Sequence, residues 1–144
     1  MVYDQRQYYN LLQQLQKAIQ GEYEAIRYYE QLAKLAPPDH RRYIEQIGGD
    51  ERLEHIVSFS NLYRRLTGQE PQVVPGALPT EYVSGLKKAF DDEQEAADFY
   101  QKVYLGTNDP HVRNIFFEAM TDEMRHATTI AFLYSNYFLE DGRV

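Results

Sequence analysis
Apolar and small residues recur at helical spacing along most of the chain. Tyr8, Leu11 and Leu12, Leu15, Ala18 and Ile19, Ala25 and Ile26, Tyr29, Leu32 and Ala33 hold that period and predict one helix over about residues 4–35. "APPDH" interrupts it, and Asp39 reads as the N-cap of a second helix carrying Ile44, Ile47, Phe59, Leu62 and Leu66 on one face and ending at Gly68. "GQEPQVVPGALP" contains three of the six prolines and predicts an extended connector. A third helix runs from about Thr80 to Leu105 with Val83, Leu86, Phe90, Ala97 and Tyr100 inward. "GTNDPH" then supplies Gly106 as a C-cap, Asp109 as an N-cap and Pro110 at the first position of a fourth helix, over about 110–138.

These lengths constrain the topology. A helix of about 25 to 30 residues is roughly 38 to 45 Å long. A short loop cannot return that distance, but the 13 residues from Thr67 to Pro79 reach about 43 to 47 Å when extended. The expected fold is an all-α four-helix bundle with a long crossover between helices two and three.

Composition narrows the class. The 144 residues include 20 aromatics, 13 of them Tyr, which fits one folded domain rather than a disordered chain. A net charge of -7 leaves no basic stripe for phosphate contacts, so no nucleic acid or anionic membrane is expected as a partner. The start "MVYDQRQYYN" has no apolar leader and no run is long enough to cross a bilayer, so a cytoplasmic protein is expected. The absence of cysteine removes disulfides, thiolate chemistry and iron–sulfur ligands, so any metal must be held by Glu, Asp and His.

The chain also resembles itself. A shift of 71 residues lays "AIQGEYEAIRYYE" (18–30) on "AFDDEQEAADFYQ" (89–101), with Ala, Glu, Glu, Ala and Tyr matching, and places His40 on His111, Ile44 on Ile115 and His55 on His126. The single domain, 1–144, therefore reads as two helical hairpins, about 4–67 and 80–138, joined by connector 68–79. Neither hairpin buries its own apolar face, so pairing them makes the core.

Six polar residues sit in register with that core. Glu22 lies between Ile19 and Ile26, and Glu93 between Phe90 and Ala97; Glu51 follows Ile47 by one turn with His55 after it, and Glu123 follows Ala119 with His126 after it. A lone inward Glu or His has ordinary explanations, but four carboxylates and two imidazoles in one core require neutralisation. Two divalent ions balance four carboxylates, and an oxygen and nitrogen donor set without sulfur suits iron or manganese and admits zinc.

The carriers "GEYEAIRYYE", "GDERLEH", "DEQEAADFY" and "TDEMRH" resemble the ferritin-like superfamily, in particular its rubrerythrin and bacterioferritin branch. The resemblance implies a ferritin-like bundle with two iron ions. Glu22 and Glu93 would be terminal ligands, Glu51 and Glu123 would bridge, and His55 and His126 would each bind one ion. Asp50 and Asp122 would accept the free N–H of the ligand histidines across the bundle. Tyr29 and Tyr100, one heptad beyond the terminal glutamates, would hydrogen-bond to the ligands, relay an electron, or serve as core residues with satisfied hydroxyls.

This chain departs from the pattern at three places. Ala96 stands where a rubrerythrin carries an additional Glu ligand, and no cysteine-based electron donor is built in. In addition, "DERLEH" has four residues from Glu51 to His55, against three from Glu123 to His126. Three and four residues fall about 60° short of and 40° beyond one helical turn, so either spacing reaches one ion. An added residue is commonly absorbed as a π-bulge, and Gly48 and Gly49 just before it predict a local bend or a close helix contact. The function the resemblance implies is reduction of O2 or H2O2 with electrons from an external donor, in a homodimer. The alternatives are iron oxidation and handling, a dimanganese catalase, and a structural or coat-type bundle with a vestigial site. A fifth helix like that of cage-forming ferritins is not expected.

Overall fold
The computed structural model describes residues 3–139. The first helix, α1 (Gln5–Leu35), is closed at its start by a capping box: Asp4 accepts from the Gln7 N–H at 2.8 Å and the Gln7 side chain accepts from the Asp4 N–H at 3.1 Å. The second rod has three parts in line, α2 (Pro38–Asp50), a π-helical turn (Glu51–His55) and α3 (Ile56–Thr67). Gly68 ends it in the left-handed conformation, φ 69°, which costs a glycine little. Then α4 (Tyr82–Gly106) and α5 (Pro110–Leu139) complete the bundle.

Three of the expected ends differ. Asp39 is not the N-cap; Pro37 is, and Pro38 occupies the first helical position, where its locked φ and missing N–H suit the start and leave Asp39 inside the first turn. The third helix begins at Tyr82 rather than about Thr80. Gly106 is its last helical residue instead of a left-handed cap, because Thr107 leaves the helix through extended backbone. Asp109 does cap α5, accepting from the His111 N–H at 2.9 Å.

Around the bundle, α1 lies between α2–α3 and α4, and α5 between α4 and α2. Two apolar clusters fill its ends. Leu32, Ile44, Leu86, Ile130 and Leu133 centre one; Leu15, Ile19, Phe59, Val112 and Phe116 centre the other. Between them lies a layer of charged side chains as inaccessible to solvent as the leucines around it. His40, in contrast, is buried at one end and bonded to Tyr82 Oη at 2.6 Å and Asn136 Oδ1 at 2.8 Å, whereas His111, its match in the repeat, is exposed. The likeness of the halves stops short of that end. No described helix is long and apolar enough to cross a membrane.

Candidate metal centre
Each rod contributes to the buried layer. Glu22 comes from α1, Glu51 and His55 from the π turn, Glu93 from α4, and Glu123 and His126 from α5, and all six are at most 4% exposed. They form two overlapping donor groups: Glu22, Glu51, His55 and Glu123 in one, and Glu51, Glu93, Glu123 and His126 in the other, so that Glu51 and Glu123 belong to both.

The π turn delivers the first half. The Ile56 N–H reaches back five residues to the Glu51 carbonyl, and this wide ring absorbs the extra residue of "DERLEH". Glu51 thereby lies wholly inside and Glu54 outside. Of the preceding glycines, Gly48 marks a close helix contact: a Cβ there would stand 3.3 Å from Tyr29 Cβ on α1. Gly49 borders open space in a cleft between α1 and α2.

Outer partners orient the donors in a crossed pattern. His55 Nε2 lies 2.8 Å from Asp122 Oδ2 on α5, and His126 Nε2 lies 2.8 Å from Asp50 Oδ2 on α2. An Nε2–H donated to each aspartate leaves Nδ1 as the inward donor atom. Tyr29 of α1 donates to Glu93 Oε1 at 2.5 Å, and Tyr100 of α4 donates to Glu22 Oε1. Both tyrosines are buried core residues and also partners of the glutamates, so two of the alternatives read from sequence hold together.

What remains unpaired is informative. Glu22 Oε2, Glu51 Oε1, Glu93 Oε2, Glu123 Oε1 and His126 Nδ1 are buried without hydrogen-bond partners. They are nevertheless close: His126 Nδ1 is 3.0 Å from Glu51 Oε1 and 3.6 Å from Glu93 Oε2, and His55 Nδ1 is 2.9 Å from Glu123 Oε1. Unsatisfied buried polar groups cost about 1–3 kcal/mol each, more when charged.

The protonation of these groups follows from the same crowding. Burial opposes charge on His55, but the adjoining Glu123 and Glu51 carboxylates outweigh it and raise its pKa to about 11. Burial is likewise outweighed at His126, where Glu51 and Glu93 raise the pKa to about 10. Glu51 is pulled down to about 2, because the adjoining His126 and His55 imidazoles overcome its burial. Glu123 moves upward through burial and the negative charges of Glu51 and Glu93. Burial and the neighbouring carboxylates also hold the Tyr29 and Tyr100 phenols well above their ordinary range, as hydrogen-bond donors.

Sequence reasoning missed the small residues facing this layer. A 480 Å³ cavity between α1 and α4 reaches all four glutamates and is lined by Gly21, Ala25, Ala89 and Ala96. The matched alanines of the repeat were the available signal.

A four-helix bundle with a buried carboxylate and histidine layer defines a ferritin-like protein. More narrowly, residues 13–134 match the rubrerythrin family, and the chain belongs to that family. The Bacillus subtilis protein YhjR is 40% identical over 134 residues, covering 90% of this chain and 88% of its own length. Solved structures share the fold. A protein from Xanthomonas campestris has a TM-score of 0.81 at 19% identity, over 95% of this chain and 98% of that one. A hypothetical protein from Pyrococcus furiosus has a TM-score of 0.77 at 20% identity, over 88% and 89%. A two-domain Anabaena variabilis protein with DJ-1/ThiJ/PfpI-like and ferritin-like domains has a TM-score of 0.75 at 16% identity, over 90% of this chain and 37% of that one.

Proposed function
We propose that the buried layer is a di-iron centre that reduces hydrogen peroxide or dioxygen with electrons from a separate donor. The observation that carries this reading is the set of buried, mutually close and unpaired donor atoms on four rods. In this reading Glu22 and Glu93 would be terminal ligands, Glu51 and Glu123 would be shared by the two ions, and His55 and His126 would each hold one ion.

Two reduced iron ions held there supply the two electrons that cleave an O–O bond. The chain's own residues set the conditions for that chemistry. Asp122 and Asp50 hold Nε2–H, so that Nδ1 would present its lone pair inward once a cation displaces its proton. Tyr100 and Tyr29 occupy one oxygen each of Glu22 and Glu93 and leave Oε2 free to bind. The apolar clusters at either end limit water around the reacting atoms. With no cysteine in the sequence, the reductant is a separate molecule.

The test begins with protein reconstituted anaerobically with iron(II), followed by metal analysis and stopped-flow mixing with hydrogen peroxide. The expected result is two iron ions per chain and two iron(II) oxidised per peroxide, with two protons taken up and two waters formed. Peroxide breakdown with oxygen release and no reductant would indicate catalase chemistry instead. Failure to retain metal would overturn the di-iron reading.

A further inference from the structure
We propose that small ligands reach this centre sideways, between α1 and α4, through an opening whose bore is set by Gly21, Ala25, Ala89 and Ala96 and whose outer end lies under the crossover connector. The inference rests on the dinuclear reading of the site and adds the route and the size class of what enters: a divalent cation or an oxidant of a few atoms.

Four observations carry it. The cavity between α1 and α4 is lined by all four buried glutamates, each of which has an oxygen without a hydrogen-bond partner. Every residue pair identical between "AIQGEYEAIRYYE" and "AFDDEQEAADFYQ" lines the same cavity, including the two alanine pairs, Ala18 with Ala89 and Ala25 with Ala96. Within this stretch of α1 and α4, the positions identical in both halves all border the opening. Ala96, where the family pattern has a further carboxylate, leaves that space to the cavity. Glu22 and Glu93 are nonetheless only 1% and 2% exposed, so the opening narrows to atomic width at their carboxylates and excludes bulky molecules.

Among the described residues, packed side chains line the other approaches. Along the bundle axis, Leu32, Ile44 and Leu86 on one side and Leu15, Phe59 and Phe116 on the other are fully buried. On the α2 and α5 side, each histidine is tied to an aspartate of the opposite rod and stays at most 4% exposed. The larger cleft between α1 and α2, 660 Å³, passes Gly48, Gly49 and Tyr29 but touches none of the six donors.

The connector covers the mouth. Gln20 donates to the Val74 carbonyl at 2.7 Å and accepts from the Val74 N–H at 3.0 Å, and Gln16 donates to the Gln72 carbonyl at 2.5 Å. This clamp lays Gly76 so near α1 that a Cβ there would stand 2.9 Å from Glu24 Cγ. The side chain of Gln20 thus ties the connector to α1 beside the opening.

The experiment is the rate of cobalt(II) uptake by the chelator-treated full chain, followed by visible absorption, with the cobalt stoichiometry at the end point. Ala96→Phe is expected to slow uptake by about tenfold or more while the end point stays at wild type. Ala25→Leu, on the facing helix, is expected to act in the same direction should Ala96→Phe fold poorly. Gln20→Ala is expected to speed uptake several-fold, and Gly49→Leu, which fills the α1 and α2 cleft, to leave it unchanged. Wild-type rates in both Ala96→Phe and Ala25→Leu, or equal slowing by Gly49→Leu, would overturn the route while the site itself stands. A wild-type chain that takes up no cobalt would overturn the dinuclear reading, and the route with it.

Discussion
The two halves of the centre reach one geometry by different backbones. In the second half, Glu123 and His126 are three residues apart on the unbroken helix α5; in the first, Glu51 and His55 are four apart on a π turn. Yet each histidine places Nε2 2.8 Å from an aspartate on the opposite rod, and Glu22 and Glu93 each take a hydroxyl from the tyrosine of the other hairpin. An added residue that would rotate α3 out of register is confined to one wide turn, so Phe59 and Leu62 still face the core. Side-chain chemistry sets the constraint in both halves, and the backbone adapts to it.

The largest break in this symmetry is expected from the residues both halves share. Glu51→Ala combined with Glu123→Ala should abolish binding of both ions, whereas His55→Ala or His126→Ala should weaken one; isothermal titration with iron(II) or cobalt(II) separates these outcomes. If the double variant retained two ions, Glu51 and Glu123 would not be bridges.

Next in size are the outer partners. Asp122→Asn and Asp50→Asn are each expected to reduce metal affinity by about 10- to 100-fold. Their equal histidine distances make the two losses similar. Tyr100→Phe and Tyr29→Phe form a second matched pair. Each strands a buried carboxylate oxygen at about 1–3 kcal/mol, roughly 5- to 150-fold in binding if that cost falls on the bound state. Competition titration measures both pairs, and a large imbalance within either would show that the halves are not equivalent.

A smaller effect is expected from pH. In chelator-treated protein, His55 and His126 have pKa values raised from 6.5 to about 11 and about 10. Their contribution to stability is complete below about 6.5 and is lost as pH rises through 10 to 11. Glu51, lowered from 4.5 to about 2, contributes above 4.5, and that contribution fades as pH falls towards 2. Cations displace the histidine protons, so metal binding should release protons, and the thermal stabilisation by metal should widen between pH 6.5 and 9. Chemical denaturation with and without metal across that range checks the sign.

The smallest effect should come from removing the difference between the halves. Deleting Leu53, exposed in the π turn, leaves three residues from Glu51 to His55 as in α5. The shortened turn can close as regular α-helix with α3 in its original register. Metal stoichiometry is therefore expected to persist with thermal stability changed by only a few degrees, as read by calorimetry. Loss of the fold would mean that the wide turn is itself required by the packing.

Much of this was legible in the residues alone. Helical period located four rods, the length of the connector required a crossover, and six polar residues in apolar register marked the centre, because burying charge without compensation is too costly to be incidental. The spacing of "DERLEH" indicated the π turn for a similar reason, since one extra residue must be absorbed locally. Helix ends were less legible: Asp39 and Gly106 are good caps by type, but Pro37 and Pro38 start α2 before Asp39 and Thr107 leaves α4 through extended backbone.

What only the tertiary structure decided concerns contacts between rods. The sequence held Tyr29 and Tyr100 at core positions, but whose carboxylate each would hold depended on how α1 and α4 face one another. The same packing decided that the matched alanines border an opening, and that Gln20 clamps the connector across it. Local periodicity determines which face of a helix turns inward. Which side chains then meet, and where a gap is left between them, depends on the register and distance of neighbouring helices, a property of the assembled bundle.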